Sequence, residues 1–175
     1  YGSVAPTFVS LAERVREQTG LPVLLLDGAL GNIPETYRLL GDILDRREAA
    51  AQRADAAGRI LARAAEDAER VRARHVRVLY LRGPRGLETG AAGSINTEVI
   101  EFAGAENVAG RALGPGGLVQ VSMEQVLAWN PDWIVLQHPD APALTRTDPL
   151  WRSLTAVRQG RVALLPGLPF GWLDF

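Results

Sequence analysis

The chain has 175 residues, 47% of them hydrophobic, a formal net charge of −1 and no cysteine. That length admits one large domain or parts of two, each with a real core, and the near-neutral charge removes the electrostatic case for a nucleic-acid partner. Without cysteine there is no disulfide, thiolate metal site or Cys nucleophile, and the sequence holds no apolar run of about 18 residues that would span a membrane.

Residues 6–19 predict a helix, with Phe8, Val9, Leu11, Ala12 and Val15 apolar and Gly20 as its stop. The apolar run 21–28 between turn residues predicts a buried strand. Residues 29–33 follow as a loop, and Pro34 suits the first position of a helix. From 39 to 74 there is no proline, and Gly41 and Gly58 are the only glycines. Ala, Arg, Glu and Asp dominate, most of them good helix formers. Leu44, Ala51, Ala54, Gly58, Leu61, Ala65 and Ala68 form one narrow apolar stripe. The pattern predicts one long helix, kinked at most near Gly41, and a run of roughly 28 residues spans on the order of 40 Å. Such a helix is too long for a crossover between neighbouring strands and reads as a strut between two lobes.

Beyond it, residues 76–81 predict a strand and 82–93 a Gly-rich loop. Ser94 opens a helix that Gly104 ends, 107–109 suggest a short strand, and 110–120 read as loop. Ser122 and Gln125 form a capping-box pattern for a short helix to about Trp129. Residues 133–137 predict a buried strand. Asp148 caps a helix through about Val157, and 162–165 form the last strand. This alternation implies an α/β fold, a doubly wound and mainly parallel sheet joined by the long helix to part of a second α/β lobe. The expected division is 1–38, 39–75 and 76–175. The opening at Tyr1 and the apolar close 168–175 read as a piece of a longer protein.

Ligands on such sheets bind beyond the carboxyl ends of the strands. Neither Gly83-Pro84-Arg85-Gly86 nor Gly114-Pro115-Gly116-Gly117 is a phosphate loop, and no catalytic signature is present. Arg82 and Arg85 follow the first strand of the second lobe. Guanidinium groups suit carboxylate, phosphate, hydroxamate or catecholate oxygens; solvated loop charges are the bland alternative. His138 lies just past a strand end, as a ligand contact or a solvated loop residue, and with Asp140 alone it makes no metal site. His75, at a helix-to-strand turn, suits a capping role. Trp129, Trp133 and Trp151 fall in or beside predicted elements and read as core. Phe170 and Trp172 lie in a Pro/Gly-rich loop after the last strand, where aromatics suit ligand binding. Glu124 in the first turn after Ser122 suits the helix dipole or a partner's arginine.

The stretch 121–136, with Ser122, Glu124, Val126, Leu127, Pro131, Asp132 and Ile134, resembles a recurring segment of helical-backbone substrate-binding proteins of ABC importers for iron–siderophore complexes, haem and cobalamin. Three more pieces agree in order. Residues 93–108 resemble the family's helix ending in Gly-Gly-Glu-Asn-Val. Residues 148–162 resemble Asp-Pro-x-Trp through Val-x-x-Gly-Arg-Val, and 20–59 resemble the approach to the backbone helix. The resemblance implies two lobes with the ligand in the cleft between them, and a chain that lacks most of the first lobe and the last helix. It implies capture rather than catalysis, with no cofactor. The cargo would be a ferric siderophore first, then haem, cobalamin or another metal complex, with an oxyanion as a further candidate given the arginines. The partner would be an ABC permease in the inner membrane, and the protein would be a monomer in the periplasm or lipid-anchored at the membrane's outer face. A family Glu that docks on permease arginines falls on Glu124, and the family's ligand loops contain Arg82, Arg85, His138, Phe170 and Trp172. The rivals are a nucleotide- or cofactor-using α/β enzyme, and a sensor or interaction domain on the same fold.

Overall fold

A computed structural model describes residues 6–166. By its contacts the chain divides into two units, one ending at Arg63 and one running from Ala64 to Asp174.

In the first unit, α1 (Pro6–Thr19) precedes a 3-10 turn and α2 (Ile33–Ile43). Residues 21–26, expected as a strand, are irregular, and Leu21 and Leu24 stand 63% and 49% exposed. An apolar run becomes a strand only when another strand completes its hydrogen bonds, and none among the described residues pairs with 21–26. Asp27 instead closes a turn: its carboxylate accepts the Ala29 N–H at 3.0 Å and the Asn32 amide at 2.8 Å.

The long helix is divided. Helix α2 stops at Ile43 and α3 (Arg47–Arg72) begins four residues on. Asp45 takes φ +53°, and the Arg46 N–H donates to Gly41 O at 2.8 Å, the reach of a Schellman end. Gly41 is therefore a contact rather than a kink, since a Cβ there would lie 2.3 Å from the Ala50 Cβ. Over 26 residues α3 extends about 39 Å. It ends in a turn where His75, at φ +50°, donates its N–H to Arg72 O.

The second unit is built on β1 (Arg77–Leu81), β3 (Glu106–Asn107), β5 (Trp133–Leu136) and β6 (Val162–Leu164). They form a parallel sheet in the order β3-β1-β5-β6, with Leu81 opposite Leu136 and Leu136 opposite Leu164. Helices α4 (Ile95–Phe102), α5 (Val108–Leu113) and α6 (Met123–Trp129) lie between β1 and β5 in sequence. Helices α7 (Ala141–Thr147), α8 (Pro149–Ser153) and α9 (Thr155–Arg158) lie between β5 and β6. A two-stranded antiparallel ribbon, β2 (Glu88–Gly90) with β4 (Leu118–Gln120), stands beyond β1.

Strand β1 is buried on both faces, which is why it reads as a continuous apolar run. Leu79 and Leu81 join Ile134, Leu136, Val126 and Trp151 in one core layer, while Val78 and Tyr80 join Ile100 in the other. Ser122 and Gln125 close the expected box, at 3.2 Å from Gln125 N–H to Ser122 Oγ and 2.9 Å from Ser122 N–H to Gln125 Oε1. Asp148 caps α8 through the N–H groups of Leu150 and Trp151.

Other expectations shift. Ser94 precedes α4 without a side-chain capping bond. Residues 110–120 hold four of the six residues of α5 and all of β4; Gly110 is a helix residue with no room for a side chain, since a Cβ would meet Asn107 Nδ2 at 2.7 Å. The single helix from Asp148 is two helices, broken where Leu154 turns extended. Trp151 is 4% exposed, but Trp133, expected in the core, opens β5 with 41% exposure.

Candidate functional site

Strands β1 and β5 are neighbours, and the chain leaves β1 towards β3 but leaves β5 towards β6, in opposite directions. At such a switch point the loops beyond the carboxyl ends diverge and leave a crevice. Arg82 follows β1, and Gln137 and His138 follow β5. The Gln137 N–H donates to Leu81 O at 3.1 Å, which brings the two strand ends side by side. Tyr80 donates its hydroxyl proton to Gln137 Oε1 and ties the loop after β5 to β1.

The loop after β1 is closed by an antiparallel bridge. Arg82 N–H donates to Glu88 O at 2.8 Å, and Glu88 N–H to Arg82 O at 3.4 Å. The side chains repeat the tie, with Arg82 Nε 2.9 Å from Glu88 Oε2 and each side chain 29% exposed. Residues 83–86 form a turn closed by Gly86 N–H to Gly83 O at 3.0 Å. Gly86, at φ +59°, rests on Trp151, whose ring atoms would be 3.2 Å from a Cβ placed there. Arg85 is exposed at this turn, and no acid among the described residues pairs with its guanidinium.

His138 is half-buried. The Asp140 N–H donates to its Nδ1 at 3.2 Å, with the Asp140 carboxylate 3.8 Å from the same atom. In the neutral ring the proton then sits on Nε2, leaving an N–H donor on the other side. Arg82, Arg85 and His138 are thus brought to one end of the sheet. Phe170 and Trp172 lie outside the described residues.

Glu124 belongs to the same end. The Val121 N–H donates to Leu87 O at 2.9 Å, which pins the start of α6 beside the loop after β1. Helix α6 then runs back, and Asp132 beyond it accepts the N–H of Arg77 at the start of β1. Glu124 is exposed, and its carboxyl is held below the usual range by its own backbone N–H and then by the Ser122 hydroxyl. It therefore remains an anion at the first turn of α6.

Among the described residues no group of three or more His, Cys, Asp or Glu side chains is arranged to hold a metal ion, and no helix is long and apolar enough to cross a membrane. An open groove of about 830 Å³ lies on the flank of α7–α9, with Arg146, Arg152 and Arg158 in its wall. It includes none of the strand-end side chains. Glu88 and Trp151 shape the strand-end loop without having been singled out for it in the sequence. The available signal was a Gly-Pro-x-Gly turn that brings residues six apart, Arg82 and Glu88, into register.

The fold and this strand-end face define the class: a parallel α/β lobe whose loops carry polar donors at a switch point. The chain belongs to the periplasmic binding protein family, whose model matches residues 5–168. Members of that family are periplasmic solute-binding proteins. It is similar to the molybdate-binding protein MolA of Haemophilus influenzae, 35% identical over 95 residues that make up 53% of this chain and 26% of that protein. An ABC transporter solute binding protein from Sulfurospirillum deleyianum is 26% identical with a TM-score of 0.88, over 97% of this chain and 54% of the other. A periplasmic heme binding protein from Pseudomonas aeruginosa shares the fold, at 23% identity and TM-score 0.69, over 94% of this chain and 61% of its own. The chain thus spans about half the length of the first of these solved structures and a quarter of MolA.

Proposed function

We propose that the protein is the substrate-binding component of an ABC importer, and that this chain supplies one ligand-binding face. The face captures a small anionic metal species at the carboxyl ends of β1 and β5 and presents it to a permease. It acts by binding: Arg85 offers a forked cation and His138 offers Nε2–H, and among the described residues neither is paired with a Ser, Thr or Tyr nucleophile. The observation that carries this reading is the convergence of Arg82, Arg85 and His138 at the switch point of a family sheet. A planar guanidinium with five N–H donors matches oxyanion and catecholate oxygens.

A metal oxyanion of the molybdate type leads among the cargoes, with a ferric siderophore chelate second and haem or cobalamin after it. Two points support that order: the exposed Arg85, with no acid partner among the described residues, and the identity to a molybdate-binding protein. Phe170 and Trp172 belong to the proposed ligand loops. Glu124, anionic and exposed beside the loop after β1, would dock on an arginine of the permease. The proposal includes a division into a first-lobe remnant to about residue 38, a backbone helix to about 75 and a second lobe beyond. It places the protein in the periplasm or on a lipid anchor at the outer face of the cytoplasmic membrane.

The test is a tryptophan-fluorescence titration of the full-length protein with molybdate, tungstate, a ferric triscatecholate, haem and cobalamin. Saturation by one class at micromolar or tighter affinity, weakened at least tenfold by Arg85→Ala, is the expected result. No response to any of them refutes the reading and returns weight to a sensor or enzyme.

A further inference from the structure

The flank of α7–α9 carries a groove that the strand-end face does not use. The three helices meet at two corners, Asp148 and Leu154, where the backbone turns extended with ψ 123° and 137°. Trp151, Leu154 and Ala156 belong to the core, so the other side of these helices looks outward. There the corners enclose an open concavity of about 830 Å³, with Arg146 from α7, Arg152 from α8 and Arg158 from α9 in its wall. All three arginines are exposed, and none has an acid partner among the described residues. No acid lines the groove. Asp148 is the only acid in residues 141–166, and its Oδ1 already accepts the Leu150 and Trp151 N–H groups at 2.8 and 3.4 Å. Thr145 and Ser153 also stand in the wall, but their hydroxyls donate to Pro142 O and Leu150 O. The donors left to the groove are guanidinium N–H groups, one of which, on Arg158, reaches Thr155 Oγ1 at 3.4 Å.

We propose that this groove is a docking site for an acidic polypeptide segment, carrying several Asp or Glu side chains, on a partner protein. Three cations on one concave face with no anion among them are the electrostatic complement of such a segment. Each planar guanidinium matches a carboxylate in two parallel hydrogen bonds. Size favours a segment over a single ion, because the concavity is as large as a pocket for a drug-sized ligand and its arginines come from three different helices. Shape and lining disfavour a bilayer. The surface is concave, and its apolar residues, Pro149 and Val157, include none of the Trp, Phe or Leu side chains that enter a membrane interface. The wall shares no residue with the strand-end donors or with Glu124. The Thr155 N–H donates to Asn130 Oδ1 at 3.1 Å, which ties α9 to the segment entering β5. A docked partner therefore sits away from the strand ends proposed to hold cargo, and the proposal stands whichever cargo that is.

The test titrates the full-length protein with hexaglutamate by calorimetry, at low and at high salt. Hexaglutamine, inorganic phosphate and phosphatidylglycerol vesicles are the comparison probes. Saturable binding of hexaglutamate that fades in high salt is the expected result. Arg146→Gln, Arg152→Gln and Arg158→Gln should each weaken it about two- to fivefold, the scale of one exposed ion pair, and the triple variant at least about tenfold. Ser153→Glu, which sets an anion in the groove, should weaken it as well. A charge-matched control neutralises Arg53, Arg59 and Arg63, which are exposed on α3 and outside this wall. That control should stay within about twofold of the wild type, as should Arg85→Gln. Equal weakening by the groove and α3 triples would overturn the proposal, leaving general attraction of a polyanion. No hexaglutamate binding at low salt, or an equal response to hexaglutamine, would do the same. Groove-dependent binding of vesicles or phosphate, with hexaglutamate untouched by the triple variant, would refute the acidic segment in favour of a lipid or a free anion. If the groove arginines of the free protein resist phenylglyoxal while those of α3 react, the protein's own chain covers the groove and the proposal fails.

Discussion

Gly104→Ala is expected to be one of the most damaging single-methyl additions in the second unit. Gly104 follows α4 with φ +87°, a conformation that costs an L side chain about 1–2 kcal/mol. Its missing Cβ is also occupied space, since the methyl would stand 2.2 Å from Ala68 O and 2.9 Å from Ala68 Cα. Those atoms are helix backbone in α3, and Ala68 is fully buried, so relief requires moving the end of α3 away from α4. Overpacking of this kind typically costs about 1–3 kcal/mol. Together the two terms give roughly 2–5 kcal/mol, and about 3 kcal/mol lowers Tm by roughly 6–12 °C in a chain of this size. All four tryptophans lie beyond residue 128 in the sequence, so urea unfolding followed by fluorescence reports on the second unit. Gly58→Ala is the control: nothing lies within 4 Å of its Cβ position in mid-α3. It should be neutral or stabilising by up to about 1 kcal/mol, read by far-UV circular dichroism. A cost below about 1 kcal/mol for Gly104→Ala would refute the claim that α3 and α4 meet backbone to side-chain position at this point.

Trp151→Ala should cost about 3–5 kcal/mol by cavity formation, and hydrogen exchange should speed up at residues 83–87, because the turn bearing Arg85 loses the ring on which Gly86 sits. Asp148→Ala removes the caps of Leu150 and Trp151 N–H and should cost about 1 kcal/mol in urea unfolding. Glu124 has its folded pKa lowered, so its contribution to stability is present above the ordinary carboxylate range and is lost as pH falls through the lowered value. Nuclear magnetic resonance titration should show that pKa rising towards the ordinary value in Ser122→Ala; no movement would remove the hydroxyl from the account. Glu124→Ala should abolish permease-dependent uptake while leaving cargo affinity unchanged, measured in reconstituted vesicles.

Local chemistry alone made several parts of this molecule legible. The box at Ser122 and Gln125 and the cap at Asp148 are contacts between residues two or three apart, so their spacing in the sequence is already their geometry. The apolar runs of β1 and β5 announce strands, β1 buried on both faces and β5 on one, and their alternation with helices announces the parallel sheet. From that sheet the strand ends follow, which is why the sequence alone places Arg82, Arg85 and His138 at one end of it. The order of partners in space was not legible. Residues 21–26 look like a strand, but a strand is completed by a neighbour, and no described strand supplies one. The break at Asp45 carries no glycine, because a Schellman end depends on what the next helix meets, here Ala50 against Gly41. Gly86 on Trp151 and Gly104 on Ala68 are pairings decided by tertiary packing, between residues tens of positions apart. The sequence by itself determined the elements, the family pattern and the end of the sheet that carries the donors. Only the tertiary structure decided which side chains pack against that end, such as Trp151 beneath the turn bearing Arg85, because packing depends on distance in space and not on spacing along the chain.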